Sequence, residues 1–291
     1  MNPEIHRVKP RQAFAWLMPW GPIDPAEGPL RPGSPIAPPY PDIVIASGRR
    51  TVAYLRAIKR AAGSAVLTVC LKDPRTGASA ADLIWVPNHD GLRGANVITT
   101  LTSPHRIAPE RLRAASLSRP EWAAESDTPL VGVLLGGDSR HHRFTAADTN
   151  ALLGKLTALV TAGARLVVTP SRRTPHDLAN AMRRLCVQSG GYFWDGTGEN
   201  PYLAILAQAD HLVVSADSVN MLGEAVATGK PVHLFTPTGG HTKISAFVNG
   251  LIDHGAVRML SGHLESWAYP PLDATPVIAI AVAEAFVALR P

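Results

Sequence analysis

The stretch Ala209–Phe235, reading ADHLVVSADSVNMLGEAVATGKPVHLF, narrows the fold of this chain more than any other. Leu212–Val214 is a short aliphatic run of the kind that forms a strand buried on both faces, and Ser215–Ser218 is a polar turn. A helix carrying Glu224 follows, then Gly229-Lys230-Pro231 as a stop, then a second apolar strand at Val232–Phe235. Two buried strands joined by a helix make a parallel crossover unit. Its polar turn and helix N-terminus therefore sit at the carboxyl end of a parallel sheet, the end at which such sheets bind ligands.

The same alternation recurs on both sides. Asp42–Ala46 reads as a strand, Ser47-Gly48-Arg49 as its turn, and Thr51–Ala62 as a helix with Val52, Leu55 and Ile58 at helical spacing. Ala65–Leu71, Leu83–Val86 and Asn96–Thr100 read as further strands. Later come strand Leu130–Leu135, helix Ala146–Ala162, strand Leu166–Thr169, helix Pro175–Ser189, strand Tyr192–Trp194, a helix from Pro201, a helix at Lys243–His254 and a last helix from Pro276. Such a series predicts an α/β protein with doubly wound parallel sheets. Residues 1–40 are dense in proline and predict an extended segment without regular helix. A polar, proline-containing stretch near 106–128 predicts the domain boundary. The expected plan is an extended segment at 1–40, an N-terminal domain at 41–128, a C-terminal domain at 129–275 and a C-terminal helix at 276–291.

Composition excludes several classes. With 46% hydrophobic and 18% charged residues in 291, the chain reads as globular rather than disordered. No run approaches the roughly 18 apolar residues of a membrane span, and the start is too polar for a signal peptide, so any membrane contact is expected to be peripheral. Two cysteines, Cys70 and Cys186, carry no metal-type spacing and form no disulfide framework, which fits a cytoplasmic protein, peripheral at the inner face of a membrane if it meets one. The net charge of +5 rests mainly on arginine, a residue suited to phosphate groups. The tryptophans do not interleave with Lys or Arg, so nucleic acid is not an expected partner.

Three loops carry donors. Gly136-Gly137-Asp138-Ser139 follows a continuous apolar strand, where glycine amides can approach a diphosphate and Ser139 adds a hydroxyl. The spacing is that of neither the dinucleotide fingerprint nor a Walker loop. Ser171-Arg172-Arg173-Thr174 lies after the next strand, placing two guanidinium groups on the same rim, where arginine clamps anions. Ser215, Asp217 and Ser218 precede a helix, where one of them is expected as its cap. Glu224 lies among Val219, Met221, Leu222, Ala225 and Val226, and a carboxylate in that place is expected to face the cleft or a partner rather than the core, where it could accept from both hydroxyls of a ribose. There is no Asp-x-Asp, His-x-x-His, Cys-x-x-Cys or Gly-x-Ser-x-Gly, so neither metal nor cofactor is expected. Of the Arg140-His141-His142-Arg143 run, one histidine is a candidate phosphate donor or acid–base group.

Taken together, PDIVIASGR at 41–49, LKDPR at 71–75, LTSPH at 101–105, GGDS at 136–139, TPSRRT at 169–174, and SADS at 215–218 with GKP at 229–231 resemble the ELM1-like family, bacterial relatives of a plant mitochondrial fission factor. The resemblance covers most of residues 41–260. The C-terminal half is also similar to the nucleotide-sugar domain of GT-B glycosyltransferases, in which a glutamate holds the donor ribose and a Gly-rich first loop meets the diphosphate. Glu224 and Gly136-Gly137 match those two places. The resemblance implies two Rossmann-like domains in a GT-B-like arrangement. Proteins of this shape usually open with a strand, a glycine turn and a helix; here the proline-rich segment occupies that place, which leaves three alternatives: the first βα unit is missing, the start codon is placed too late, or the N-terminal sheet is short.

What it implies for function is a nucleotide-sugar diphosphate held without metal in an interdomain cleft. Gly136, Gly137, Asp138, Ser139, Arg172, Arg173, Ser215, Asp217, Ser218 and Glu224 would line the donor site, and Ser47, Gly48 and Arg49 would contribute from the N-terminal domain. His105 and His141 are the candidate catalytic bases. Two other readings stay open: a non-catalytic adaptor that binds a protein or membrane surface, and a nucleotide-sugar epimerase.

Overall fold

The computed structural model describes residues 3–290. Its contacts divide the chain into two units, one of residues 1–100 with 275–291, the other of residues 101–274.

The first unit is built on a parallel sheet of β1 (Ile43–Ser47), β2 (Leu67–Leu71), β3 (Leu83–Pro87) and β4 (Val97–Thr100), paired in that order. Alternation along the strands splits the core between its two faces. Ala46, Cys70, Ile84 and Val86 meet Val52 and Leu55 of α2 (Thr51–Ala62). Leu67, Val69 and Leu83 on the opposite face meet Ala281, Val282, Ala285, Phe286 and Leu289 of α9 (Ala274–Leu289). The C-terminal helix therefore completes the core of the N-terminal sheet, with Arg290 bonded to the Asp42 carboxylate.

The N-terminal segment is not extended throughout: Gln12–Leu17 forms a short helix, α1. The interval between Pro10 and Pro19 is free of proline, which is what permits one. Met18 and Ile36 from this segment pack on Ala53, Tyr54, Ala57 and Ile58 of α2. Polar bonds fix the segment as well. Arg11 grips the buried Asp24 at 2.7 and 2.8 Å. That hydrogen bonding holds the Asp24 carboxyl well below its usual range.

The second unit carries six parallel strands: β5 (Leu130–Leu135), β7 (Arg165–Pro170), β8 (Tyr192–Phe193), β9 (His211–Ser215), β10 (Val232–Phe235) and β12 (Val257–Met259). Their spatial order is β12-β10-β9-β5-β7-β8. Val131, Val133 and Leu135 face α4 (Ala146–Thr161) and α5 (His176–Gln188), whereas Leu130 and Leu134 face α6 (Tyr202–Gln208), α7 (Val219–Val226) and α8 (Thr242–Asp253). Both faces are covered, as the continuous apolar runs require. Gly132 lets α6 pack closely on β5, since a Cβ there would lie 2.7 Å from Ile205 and 2.9 Å from Leu212 side-chain carbons, which would have to shift.

The stretch near 106–128, read from the sequence as the boundary, groups with this second unit, which begins at Leu101. α3 (Pro109–Leu117) lies against α6, and Gln208 donates to the carbonyls of Ala115, Ser116 and Ser118 beyond and within it. The polar composition of the stretch reflects one exposed helix face rather than a linker.

Candidate functional site

In the second unit the chain runs from β5 outward to β7 and β8, then returns to place β9 on the other side of β5. Strand order reverses between β5 and β9. This is the switch point at which loops diverge and open sheets bind ligands beyond the strands' carboxyl ends. The loops that meet there are 136–141 after β5 and 215–218 after β9, with 171–175 after β7 beside them.

The structure brings Gly136, Gly137, Asp138, Arg173, Ser215 and Asp217 together through bonds among themselves, and Ser139 continues the same loop, bonded to His141 and His142. Gly136 N–H donates to Ser215 Oγ at 2.7 Å, and Gly137 N–H to Asp217 Oδ2 at 2.9 Å. Asp138 N–H donates to the Arg173 carbonyl at 3.1 Å and Ser139 N–H to the His142 carbonyl at 2.9 Å. The glycine-loop amides that the sequence offers to a diphosphate thus have partners inside the protein. The glycines are fixed by close approach: a Cβ on Gly136 would lie 2.1 Å from Asp217 Oδ2, and one on Gly137 2.0 Å from the Arg173 carbonyl oxygen.

Asp217 is the centre of this latch. Its side chain is fully buried, and Oδ2 also accepts from Arg173 Nη2 at 3.1 Å. Arg173 returns to the glycine loop through Nη1, which lies 3.1 Å from the Asp138 carbonyl. Ser171 Oγ and Thr174 Oγ1 both donate to the Gly136 carbonyl. Asp138 turns back on its own loop and accepts from Phe144 N–H at 2.9 Å. Arg172 remains exposed on this rim.

Beyond β9, Ser218 caps α7 by accepting from Met221 N–H. Glu224 lies further along α7, half-buried, and Oε2 accepts from Tyr202 Oη at 2.6 Å. Burial first, and the Glu224 charge next, raise the Tyr202 phenol far above its usual range, so it stays a donor. One carboxylate oxygen is spent on orienting Glu224. The other carries no protein bond among the described residues.

A two-stranded antiparallel ribbon, β6 (His142–Arg143) with β11 (Thr238–Gly239), joins the loops after β5 and β10. Through it the His141 ring lies 4.4 Å from that of His241, and its Nε2 lies 3.3 Å from Arg140 Nε. Burial, with His241, Arg140 and His142 adding to it, lowers the His141 pKa, leaving a neutral imidazole at neutral pH. His105 stands elsewhere in the second unit. It is nearly enclosed, its Nδ1 accepting from Ile107 N–H at 3.3 Å and its Nε2 3.7 Å from Asp273. Ser47, Gly48 and Arg49 belong to the first unit and are exposed. Gly48 has φ +102°, as the tight turn requires, and its carbonyl accepts from the Thr51 side chain at 2.7 Å. Among the described residues no group of three or more His, Cys, Asp or Glu is placed to hold a metal ion. Both cysteines are buried, and that burial pushes the Cys70 thiol up to about 11 and the Cys186 thiol to about 12.

The partners given no role of their own in the sequence reading are Ser171 and Thr174, named there only as flanks of the two arginines, together with Tyr202 and His241. Ser171 and Thr174 bracket the two arginines at a three-residue spacing, a signal that was available. Tyr202 and His241 lie 22 and 100 residues from the groups they meet, and only the fold pairs them.

The sequence model of the family described as mitochondrial fission ELM1 matches residues 1–286. The chain belongs to that family. The Arabidopsis thaliana mitochondrial fission protein ELM1 is 30% identical over 262 residues, covering 81% of this chain and 61% of that protein. This chain thus spans under two thirds of the length of that ELM1 relative. Among solved structures, Acinetobacter baumannii MurG is similar over 86% of this chain and 69% of its own, at 16% identity and a TM-score of 0.44. WaaG, a glycosyltransferase involved in lipopolysaccharide biosynthesis, covers the same shares at 14% identity and a TM-score of 0.36. No described helix of this ELM1 family member is long and apolar enough to cross a membrane.

Proposed function

We propose that the switch-point rim of the second unit binds a nucleoside diphosphate or its sugar ester, and that the chain works as a metal-free glycosyltransferase of the GT-B type. The observation that carries this reading is Glu224: a half-buried carboxylate on the helix after β9, held through one oxygen by Tyr202, with the other available to ribose hydroxyls. Arg172 and the exposed part of Arg173 supply positive charge for the diphosphate, and the N-terminus of α7 adds its dipole. In the transfer step an acceptor oxygen bonds to the anomeric carbon while that carbon's bond to the phosphate oxygen breaks. The diphosphate leaves with the negative charge, which fixed cations stabilise without a metal. His141, held neutral, is the candidate to take the acceptor's proton.

The bonds that close the glycine loop favour a second reading. With the amides of Gly136 and Gly137 donated to Ser215 and Asp217, the same shell also suits a non-catalytic adaptor. Calorimetric titration of the chain with UDP, GDP, ADP and CMP separates the two. Micromolar binding of one nucleotide is the expected result. No heat with any of them, in a folded sample, would leave the adaptor.

A further inference from the structure

We propose that the turn around α1 docks on an anionic lipid bilayer. Trp16, Leu17 and Trp20 are 83%, 44% and 65% exposed, within five residues of one another. Single exposed apolar residues are ordinary, but two indoles and a leucine in one turn make a patch, and an indole is a large apolar surface to leave in water. The patch is presented by an anchored scaffold. Met18, between the exposed residues, is 1% exposed and packs on α2, and Gly21 N–H bonds the Leu17 carbonyl at 2.9 Å.

Cations flank it. Arg56 of α2 donates to the carbonyls of Pro19 and Trp20 at 2.5 and 3.4 Å, and Arg60, exposed one turn on, reaches the Arg56 carbonyl at 3.3 Å. Along the sequence, the surplus positive charge lies in the N-terminal part that includes this turn and α2. Residues 1–62 hold nine Arg and Lys against four Asp and Glu, a surplus equal to the net +5 of the whole sequence, while residues 63–291 balance at nineteen each. An indole beside a guanidinium matches the boundary of a bilayer, where the ring lies among the first acyl carbons and the cation meets headgroup phosphate. Such contact is interfacial and draws on apolar burial and anionic lipid together.

The test is co-sedimentation of the full chain with phosphatidylcholine vesicles made with and without phosphatidylglycerol. Binding to the anionic vesicles only is expected, weakening as salt is raised. Arg60→Ala should weaken it roughly fivefold. Trp16→Ala with Trp20→Ala should weaken it at least about tenfold, since each loses a large buried ring. Quenching of tryptophan fluorescence by brominated lipid, which needs no variant, should accompany binding of the wild type. A chain that stays off anionic vesicles, or binds them equally after both tryptophans are replaced, overturns the proposal. Concentration-dependent self-association abolished by the same two substitutions would assign the patch to a second copy and overturn it as well.

Discussion

Asp217 holds together two loops that lie 80 residues apart in the chain. Its Oδ2 takes both the Gly137 amide and the Arg173 guanidinium. Asp217→Ala would leave a buried N–H without an acceptor and is expected to cost about 1–3 kcal/mol, read as a shift in the urea midpoint at unchanged slope. Gly137→Ala should be at least as costly, because its Cβ meets backbone rather than a side chain that can move. Glu224 and Arg172 were legible as candidates from their places after apolar strands. The inward bonds of Gly136, Gly137 and Asp217 were not, since a glycine loop reads the same whether its amides face a ligand or a neighbouring loop. Of Ser215, Asp217 and Ser218, one of which was expected as the cap, Ser218 is the one that caps α7.

Asp148 works at the level of elements. It completes a capping box with Thr145 at the start of α4, and its carboxylate also accepts from Thr238 N–H and Oγ1 at 3.2 and 3.1 Å. Burial opposes its charge, but the bonds from Thr145 and Thr238 prevail and lower its pKa. Asp148→Ala therefore removes a helix cap and an anchor of the β6–β11 ribbon together. A loss of about 1–2 kcal/mol is expected from the cap. Faster hydrogen exchange at Gly240 N–H, which bonds the His141 carbonyl, should report the loosened ribbon. Buried strands and amphipathic helices were readable from periodicity. The ribbon was not, because two-residue strands carry no period, and α1 was masked by the prolines around it.

Over the molecule as a whole, stability should depend on pH through a buried histidine pair. His233, 1% exposed, lies 3.3 Å from His211, and burial with that neighbour's charge pushes its pKa down to about 4. His211 is lowered too, chiefly by burial. The unfolded chain binds a proton below an ordinary 6.5 that the folded chain refuses until about 4, so the His233 contribution to stability falls as pH drops through that window, and below it the lowered carboxylates of Asp24 and Asp148 carry the further loss. The effect for His233 is on the order of 3 kcal/mol. In His233→Asn the urea midpoint should vary much less between those two values. Parallel α/β architecture at this scale followed from strand and helix alternation, whereas the joining of α9 to the N-terminal sheet did not, because an apolar helix at a chain end gives no sign of which sheet it covers.

The central claim, a nucleoside diphosphate on the switch-point rim, is tested most directly by calorimetric titration of UDP, GDP, ADP and CMP into wild type, Glu224→Ala and Arg172→Ala. Binding of one nucleotide by wild type, weakened at least about tenfold in each variant, is the predicted result, a loss of about 1.4 kcal/mol or more. Equal binding by all three proteins, or none by the wild type, would contradict it.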